Sequence, residues 1–368
     1  MKRFYLLICA ALLLGSCSRS VKFDIDGLLI ENAAHKVYLV VENASIDTLA
    51  SASVAADNRF CMRGKVAEPT TAFVCDDNGN TLAILLIEDS QLYLRPLPNG
   101  GYIAEGGPIN DKYNLIMQRL SDVALQIAEL DFNNPESEEA YESLLMKYHD
   151  ILSTAISDNL DNLVGVELFL SQEARGMTAE DMRIRFNQFY PRMQNLSAMR
   201  QFAEYIDIYA RTEIGNKFID LTLNTASDEA ITLSEVCNDG KWVLIDFWAT
   251  WCEPCCREIP LLREMYAKYA LQGFEICSIS IDSDKARWRE FITQNSMLWT
   301  NLMDNLNNEQ IPAAEMYGLQ SIPANFLVAP DGTIMARNLF GDSLRHKLEH
   351  IFGDCECKDS TNNQHISK

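Results

Sequence analysis

The stretch DFWATWCEPCCREIP, residues 246–260, decides the fold of the C-terminal part of this 368-residue chain. It overlaps a continuous apolar run, WVLIDFWAT, which is typical of a strand buried on both faces of a sheet. Cys252 and Cys255 follow at once, and the amphipathic segment that begins there predicts a helix. A thiolate at a helix start faces unpaired backbone N–H groups and the positive end of the helix dipole, which lower its pKa. The stretch therefore predicts a redox-active dithiol.

A metal site is the main alternative for a C-x-x-C pair, but the chain has no second C-x-x-C at zinc-knuckle spacing. A second pattern, HKLEH at 346–350, resembles an inverted zinc-peptidase motif and is followed by Cys355 and Cys357. This segment falls on the expected closing helix of the domain, away from the dithiol. We therefore expect a surface helix and a tail at 354–368, with no metal, although a redox pair between the two tail cysteines stays open.

Outward from the dithiol, residues 213–353 alternate between strand and helix patterns. REIPLLREMYAKYALQG is amphipathic, FEICSISID reads as a buried strand, and KARWREFITQN reads as a helix. IPANFLVAPDGTIMARNL predicts a hairpin that turns at Asp331-Gly332, and SLRHKLEHIFG predicts the closing helix. This order implies a mixed sheet flanked by helices.

The segment from about 215 to 352 resembles a thioredoxin-fold domain of the TlpA/ResA type, a family of extracytoplasmic thiol-disulfide oxidoreductases. FWATWCEPC matches the active-site motif of that family almost residue for residue. The resemblance implies that Cys252 is the exposed nucleophile, which forms a mixed disulfide with a substrate, and that Cys255 is the resolving thiol. It implies no cofactor.

Two carboxylates stand near the dithiol. Asp246 lies in the apolar strand and matches the buried aspartate of thioredoxins, while Glu258 matches the glutamate that ResA-like proteins keep beneath their cysteines. Burial raises the pKa of a carboxyl toward neutrality, where it can exchange protons with the resolving sulfur. The alternatives are a solvated helix residue for Glu258 and a satisfied buried polar group for Asp246.

The resemblance also implies a substrate-binding loop. Ile322-Pro323 matches the cis-proline of the family, and the residue before this proline offers its backbone to a substrate strand. Trp251 directly precedes the nucleophile and is the expected substrate-facing ring, although a place in the core is the alternative. Ala324 and Asn325 stand where relatives commonly carry threonines, which leaves the substrate preference open.

Ahead of this domain, residues 17–107 read as a small antiparallel β domain, with a hairpin at Asn78-Gly79. Residues 108–212 show helical periodicity, and one helix opens at TAED with Thr178 as a candidate cap. The predicted fold is thus an α/β thioredoxin fold preceded by a β domain and an all-α linker region. This half resembles the accessory β-rich domain of unknown function in Bacteroidetes lipoproteins.

The N-terminus, MKRFYLLICAALLLGSC, has basic residues, a short apolar run and small residues, which predict an export signal. It resembles a bacterial lipoprotein signal, in which 1–16 would be removed and Cys17 lipidated; an ordinary signal peptide is the alternative. We expect a periplasm-facing protein on the inner or outer membrane. The formal net charge of −21 argues against nucleic acid as a partner.

The chain has eleven cysteines. Cys61 and Cys75 lie on neighbouring predicted strands, so a structural disulfide between them stays open. Cys256 is one helical turn from Cys252 and is either a bystander or an alternative partner. Cys237 and Cys277 lie in apolar surroundings, which predicts inert core thiols.

The functional prediction is an exported oxidoreductase that reduces protein disulfides through Cys252 and Cys255 and draws electrons from an unidentified membrane donor. Carboxylates beside the dithiol oppose the very stable thiolate that a strong oxidant needs. An isomerase or oxidase remains an alternative. A non-catalytic binding lipoprotein of the envelope is the alternative from another class.

Overall fold

A computed structural model describes most of the chain from Ser20 to Gly353. The ranges left out inside it are 31–33, 43–45, 99, 132–133, 135, 238 and 305–311. The predicted signal segment at 1–16, Cys17 and the tail with Cys355 and Cys357 lie outside the described residues. The chain divides into two compact units, one ending at Ala203 and the other beginning at Glu204.

The first unit is rich in β-structure, as the sequence predicts. Its strands are β1 (Val21–Leu28), β2 (Lys36–Glu42), β3 (Ile46–Ser53), β4 (Arg59–Val66), β5 (Thr70–Cys75), β6 (Thr81–Ile87), β7 (Ser90–Pro96) and β8 (Tyr102–Glu105). They form two four-stranded sheets, in the orders β4-β1-β7-β8 and β3-β2-β5-β6. Neighbouring strands pair antiparallel except β1 and β7, which are parallel. Inward-facing residues of both sheets, such as Ile25 and Leu85, share one apolar core.

The two cysteines in the described part of this unit lie in different sheets. Cys61 is on β4 and Cys75 is on β5, and both are free thiols. The disulfide that the sequence left open is therefore absent from this structure. The predicted neighbouring strands do follow each other in the chain, but the connection between them passes from one sheet to the other.

The helical segment that follows is also confirmed. Its helices are α1 (Pro108–Ala128), α2 (Glu136–Ser157), α3 (Leu163–Leu168), α4 (Ala179–Gln188), α5 (Pro191–Gln194) and α6 (Ser197–Arg211). Thr178 caps α4, because its hydroxyl accepts a hydrogen bond from the Asp181 N–H. A single π-helical turn, Phe169–Glu173, follows α3. No helix in the described part of the chain is long and apolar enough to cross a bilayer.

The second unit is built on a seven-stranded mixed sheet in the order β10-β9-β13-β12-β11-β14-β15. Its strands are β9 (Thr222–Thr225), β10 (Ala230–Thr232), β11 (Trp242–Trp248), β12 (Phe274–Ser280), β13 (Thr300–Met303), β14 (Ala324–Val328) and β15 (Ile334–Arg337). Its further helices are α7 (Leu233–Cys237), α8 (Glu253–Tyr269), α9 (Lys285–Gln294), α10 (Ala313–Met316) and α11 (Gly341–Phe352). The elements that the sequence predicts, β11, α8, β12, α9, the β14–β15 hairpin and α11, occur in the predicted order, and β9, β10, α7, β13 and α10 are additional.

Strand β11 lies inside the sheet and leads straight to the dithiol. It pairs parallel with β12 and antiparallel with β14. Val243, Ile245 and Phe247 face one apolar cluster, whereas Leu244 and Trp248 face the cluster that contains residues of α8. Successive side chains of a strand alternate between faces, so Asp246 lies on the α8 side. The sheet thus places this carboxyl beneath the helix that carries the two cysteines.

Candidate active site

The dithiol stands where β11 gives way to α8. Cys252 is the N-cap residue of α8, and its Sγ accepts a hydrogen bond of 3.2 Å from the Cys255 N–H. The two sulfurs are joined in a disulfide, with the Cα atoms 5.3 Å apart. Pro254 fits in the first turn because N–H groups there have no intrahelical partner. The helix start therefore directs the Cys255 N–H at the Cys252 sulfur.

Cys252 is less exposed than the family resemblance implies. Cys252 was expected to be exposed, but only 5% of its surface is accessible, and Cys255 is 3% accessible. They belong to the apolar cluster beneath α8, against which Ile322 also packs. Packing in this cluster explains the difference. Trp251, next in the chain, is 59% exposed and is the large apolar side chain that this loop offers to solvent.

Asp246 is a buried carboxyl with one polar partner. It is 6% exposed, and its Oδ2 accepts a 3.2 Å hydrogen bond from the Ser278 hydroxyl on the neighbouring strand. Burial raises the pKa of Asp246 to about 7, the Ser278 hydrogen bond opposes this rise, and the charge of Glu258 adds to it. A carboxyl that titrates near neutrality can take up and release a proton under physiological conditions.

Glu258 lies one helical turn beyond Cys255 and is half-buried. Its Oε2 accepts a 3.0 Å hydrogen bond from the backbone N–H of Gly341, the first residue of α11. This contact fixes the carboxylate between two helices.

The predicted proline loop has the expected geometry. The Ile322–Pro323 peptide bond is cis, and β14 begins at the next residue. Asn325 ties this strand to the segment before α11, because its side chain donates to the Leu339 carbonyl at 2.7 Å and accepts from the Leu339 N–H at 2.9 Å. The asparagine that departs from the family pattern thus has a structural partner on the neighbouring chain segment.

Sequence reasoning missed three polar residues around the site: Ser278, Asp282 and Trp299. Asp282, just beyond the end of β12, is buried and accepts hydrogen bonds from the Thr250 N–H at 2.9 Å and the Thr250 hydroxyl at 2.7 Å. It therefore holds the loop that leads to Cys252. Its position after a strand parallel to β11 was the available signal, since the carboxyl ends of parallel strands meet at one edge of a sheet.

The remaining thiols among the described residues of this unit are separate from the disulfide. The Sγ of Cys256 lies 3.9 Å from the Ala249 carbonyl oxygen, and burial, with the charge of Asp282, raises its pKa. Cys237 and Cys277 are fully buried, as predicted, and burial raises the pKa of Cys237 to about 12. All three are thus poor nucleophiles near neutral pH.

Among the described residues, one group of possible metal ligands comes together, and it lies in the first unit. It consists of Asp24, Asp26 and Cys61, on the neighbouring strands β1 and β4. The Arg63 guanidinium donates to Asp24 at 2.9 Å and lies 3.9 Å from Asp26, so a cation of the protein itself already offsets part of the charge of this group. The HKLEH segment lies on α11 and is not part of such a group within the described chain.

Comparison with known proteins agrees with this architecture. Residues 214–337 match the model of the AhpC/TSA family. ResA, a thiol-disulfide oxidoreductase of Bacillus anthracis, is 27% identical over 157 residues, which cover 42% of this chain and 87% of ResA. ResA of Bacillus thuringiensis subsp. konkukian is 29% identical over 139 residues, 38% of this chain and 76% of that protein.

Solved structures from Bacteroides resemble the same part of the chain. The C-terminal domain of a thiol-disulfide oxidoreductase from Bacteroides thetaiotaomicron is 36% identical; the match covers 39% of this chain and 98% of that domain, with a TM-score of 0.36. The family match and the ResA relatives identify the second unit as a TlpA/ResA-like thioredoxin-fold domain. They support thiol-disulfide oxidoreductase chemistry at its dithiol.

Proposed function

We propose that this TlpA/ResA-like protein reduces disulfides of other proteins through Cys252 and Cys255, in the cell envelope. The observation that carries the proposal is the dithiol at the start of α8, directly above a buried carboxyl whose pKa is about 7. A helix start favours the thiolate of Cys252, and a carboxyl near neutrality can handle the proton of Cys255.

In the reaction, the Cys252 thiolate attacks one sulfur of a substrate disulfide, forms a mixed disulfide and releases the other substrate sulfur as a thiolate. The Cys255 thiol gives its proton to Asp246, and its sulfur attacks Cys252. The Cys252–Cys255 disulfide forms and the second substrate sulfur leaves. Two electrons have passed to the substrate, whose thiolates take up protons. A dithiol donor at the membrane would restore the reduced protein.

The remaining surface of the site has a role in substrate binding. Trp251 is exposed beside the nucleophile, and Ile322 with Pro323 forms the loop next to the dithiol cluster. An extended substrate segment would pair with the backbone of Ile322, while the Trp251 ring would cover its apolar side chains. Access to Cys252, which is buried in the oxidised form, would require this surface to open.

Reduction is favoured over oxidation because of the charge around the dithiol. Asp246 lies on the α8 side of β11 and Glu258 lies one helical turn beyond Cys255, and negative charge on this side of the sheet disfavours a highly stable thiolate. Strong oxidants depend on such a thiolate, since it stabilises their reduced form. The structure thus favours a dithiol that gives up its electrons readily.

The reduction potential of Cys252–Cys255, titrated against a dithiothreitol couple, tests the direction of electron flow. We expect a value near or below about −270 mV, the range of thioredoxin. A value between roughly −180 and −120 mV would contradict the reductase and point to an isomerase or oxidase. A Cys255→Ser variant adds a second test, because a catalytic protein should then hold its substrate as a mixed disulfide on Cys252. A binding lipoprotein with an incidental dithiol would trap nothing.

The cellular setting is part of the proposal. A lipid on Cys17 would anchor the protein to a membrane on its periplasmic side, and residues 17–107 and 108–212 would space or position the catalytic domain at 213–353. The ResA-like match and the export signal at 1–16 support this setting. Metabolic labelling with a radioactive fatty acid, compared with a Cys17→Ala variant, tests the anchor; equal labelling of both proteins would rule it out.

A further inference from the structure

A chain of hydrogen bonds runs from the aromatic core to Asp246. The indole Nε1–H of Trp299 donates to the Ser278 Oγ at 2.8 Å, and that hydroxyl reaches the Oδ2 of Asp246 at 3.2 Å. All three residues are buried, and Ser278 is opposite Asp246 in the register of β11 and β12. Neither Ser278 nor Trp299 belongs to the dithiol, the two carboxylates or the proline loop.

Which group donates and which accepts in this series of hydrogen bonds follows from the donors available. An indole N–H can only donate, so the Ser278 oxygen must use a lone pair to receive it. The single hydroxyl proton of Ser278 is then free to point at Asp246. Two donors in series thus end in one hydrogen bond to a carboxyl oxygen, and such an arrangement favours the ionised carboxylate. The ring of Tyr266 on α8 contacts the ring of Trp299, with centroids 5.8 Å apart, and helps to fix it.

The groups that face Asp246 from other elements do not favour its charge. Glu258 on α8 carries a like charge, which raises the pKa of Asp246. Cys277 on β12 lies on the other face of the sheet, where burial raises the pKa of its thiol well above its usual value. Asn325 is its register neighbour on β14, but the side chain of Asn325 is engaged with Leu339. Within the described residues, no Lys or Arg contributes to the pKa of Asp246. The Ser278 hydroxyl is therefore the main group that offsets burial.

We propose that Ser278, oriented by Trp299, is a positioning residue that keeps Asp246 available as the base for the Cys255 thiol. This inference rests on the proposed function for its kinetic consequence, but not for its electrostatic one. The Ser278 hydroxyl both positions the Asp246 carboxylate and favours its ionised form. A site shielded from water can therefore keep an ionised base at neutral pH.

The test is a titration of the Asp246 carboxyl by ¹³C NMR in the purified protein with ¹³C-labelled aspartate. The signal is assigned by its loss in an Asp246→Asn variant. In Ser278→Ala we expect the midpoint to rise by about one unit, because a hydrogen bond to a charged group is lost. Trp299→Phe keeps the ring but removes the N–H, so it should shift the midpoint in the same direction by less. Ser278→Thr keeps the hydroxyl and should restore the wild-type value.

The kinetic readout is the pH dependence of kcat/KM for the reduction of a protein disulfide. Because the base must be ionised, the rate should rise with pH through the pKa of Asp246, and the rise should move to higher pH in Ser278→Ala. A merely structural serine would lower stability and leave both midpoints unchanged, which would overturn the proposal.

Two further outcomes are distinguishable. If Ser278→Ala does not fold, Trp299→Phe decides, since an unchanged midpoint in that variant overturns the orienting role of the indole. If the wild-type protein reduces no disulfide, the proposed function fails, while the NMR titration still decides whether Ser278 controls Asp246.

Discussion

Strands β1 and β11 both carry aspartates, but the surroundings of these aspartates differ in solvent exposure and in their charged partners. Asp24 and Asp26 lie half-buried on β1, where Arg63 pairs with them and Gln91 donates to Asp26 at 3.0 Å. Asp246 lies on β11, where helices cover the sheet and Ser278 is its polar partner. A strand open to solvent on one face can neutralise a carboxylate with a long cationic side chain. A strand covered on both faces keeps the carboxyl dry, and the pKa moves to about 7.

The described cysteines of the two units differ in their surroundings in the same way. Cys61 is exposed on β4, beside the charged residues of β1, and Cys75 is partly exposed. In the second unit the dithiol lies at the end of the buried strand, at a helix start. The comparison teaches that residue type alone does not make a cysteine reactive. A reactive site also needs burial at a helix start, with a second titratable group nearby.

The largest expected effect separates the two cysteine environments. Replacement of Cys252 by Ser removes the nucleophile and should lower the reduction of a protein disulfide at least about 10³-fold, to the uncatalysed level. The matched change Cys61→Ser in the first unit should leave the rate unchanged. Turnover of a fluorescent protein disulfide measures both. Equal losses in the two variants would show that the open sheet takes part in catalysis.

A smaller effect separates the two aspartates. Asp246→Asn cannot accept the Cys255 proton, so the rate at pH 7 should fall by about 100-fold, and its rise between pH 6 and 8 should disappear. Asp24→Asn, the matched change on β1, should retain the wild-type rate and profile. Steady-state kinetics across this pH range measure both variants. A pH profile of Asp246→Asn that still rises through pH 7 would assign the base role to another group.

The smallest effect concerns stability. The pKa of folded Asp246, about 7, lies above its ordinary value of 3.8, so the folded state binds this proton more tightly than the unfolded state. The resulting stabilisation is complete below the unfolded pKa and is lost as the pH rises to about 7. Asp246→Asn should therefore be more stable than wild type at pH 8, on the order of 2 kcal/mol, and should lose this advantage near pH 4. Urea unfolding at the two pH values, with Asp24→Asn as a control, measures the difference; a difference that does not depend on pH would contradict the buried-proton account.

Local sequence was sufficient for the features that a short segment contains. The dithiol, the buried strand before it, the cis-proline and Asp246 all lie in two stretches whose pattern is specific to the family. The alternation of strands and helices also predicted the architecture of the second unit. These features depend on neighbours in the chain, so their physical cause is visible in the residues themselves.

The features that the sequence did not predict depend on register and packing between distant segments. Ser278 becomes the partner of Asp246 only because β12 pairs with β11 in one register. A serine in a strand has no pattern that would single it out. The parallel pairing of β1 with β7 likewise depends on how two sheets form from eight strands. The burial of Cys252 follows from packing beneath α8 and not from its place in the motif.

The bond from Gly341 to Glu258 has a consequence for how the site withstands mutation. Its donor is a backbone N–H, which every residue except proline supplies, so most single substitutions at position 341 cannot delete the donor. Gly341 has a φ of 52°, and other residues would strain the backbone there, yet nothing lies close to where a Cβ would point. The donors of Ser278 and Trp299 belong to side chains, so a single amino-acid substitution at either position can remove the donor. A saturation library of the second unit should therefore show sharp intolerance at 278 and 299 and graded tolerance at 341, although Ser278 and Gly341 each donate directly to a carboxylate and Trp299 acts through Ser278.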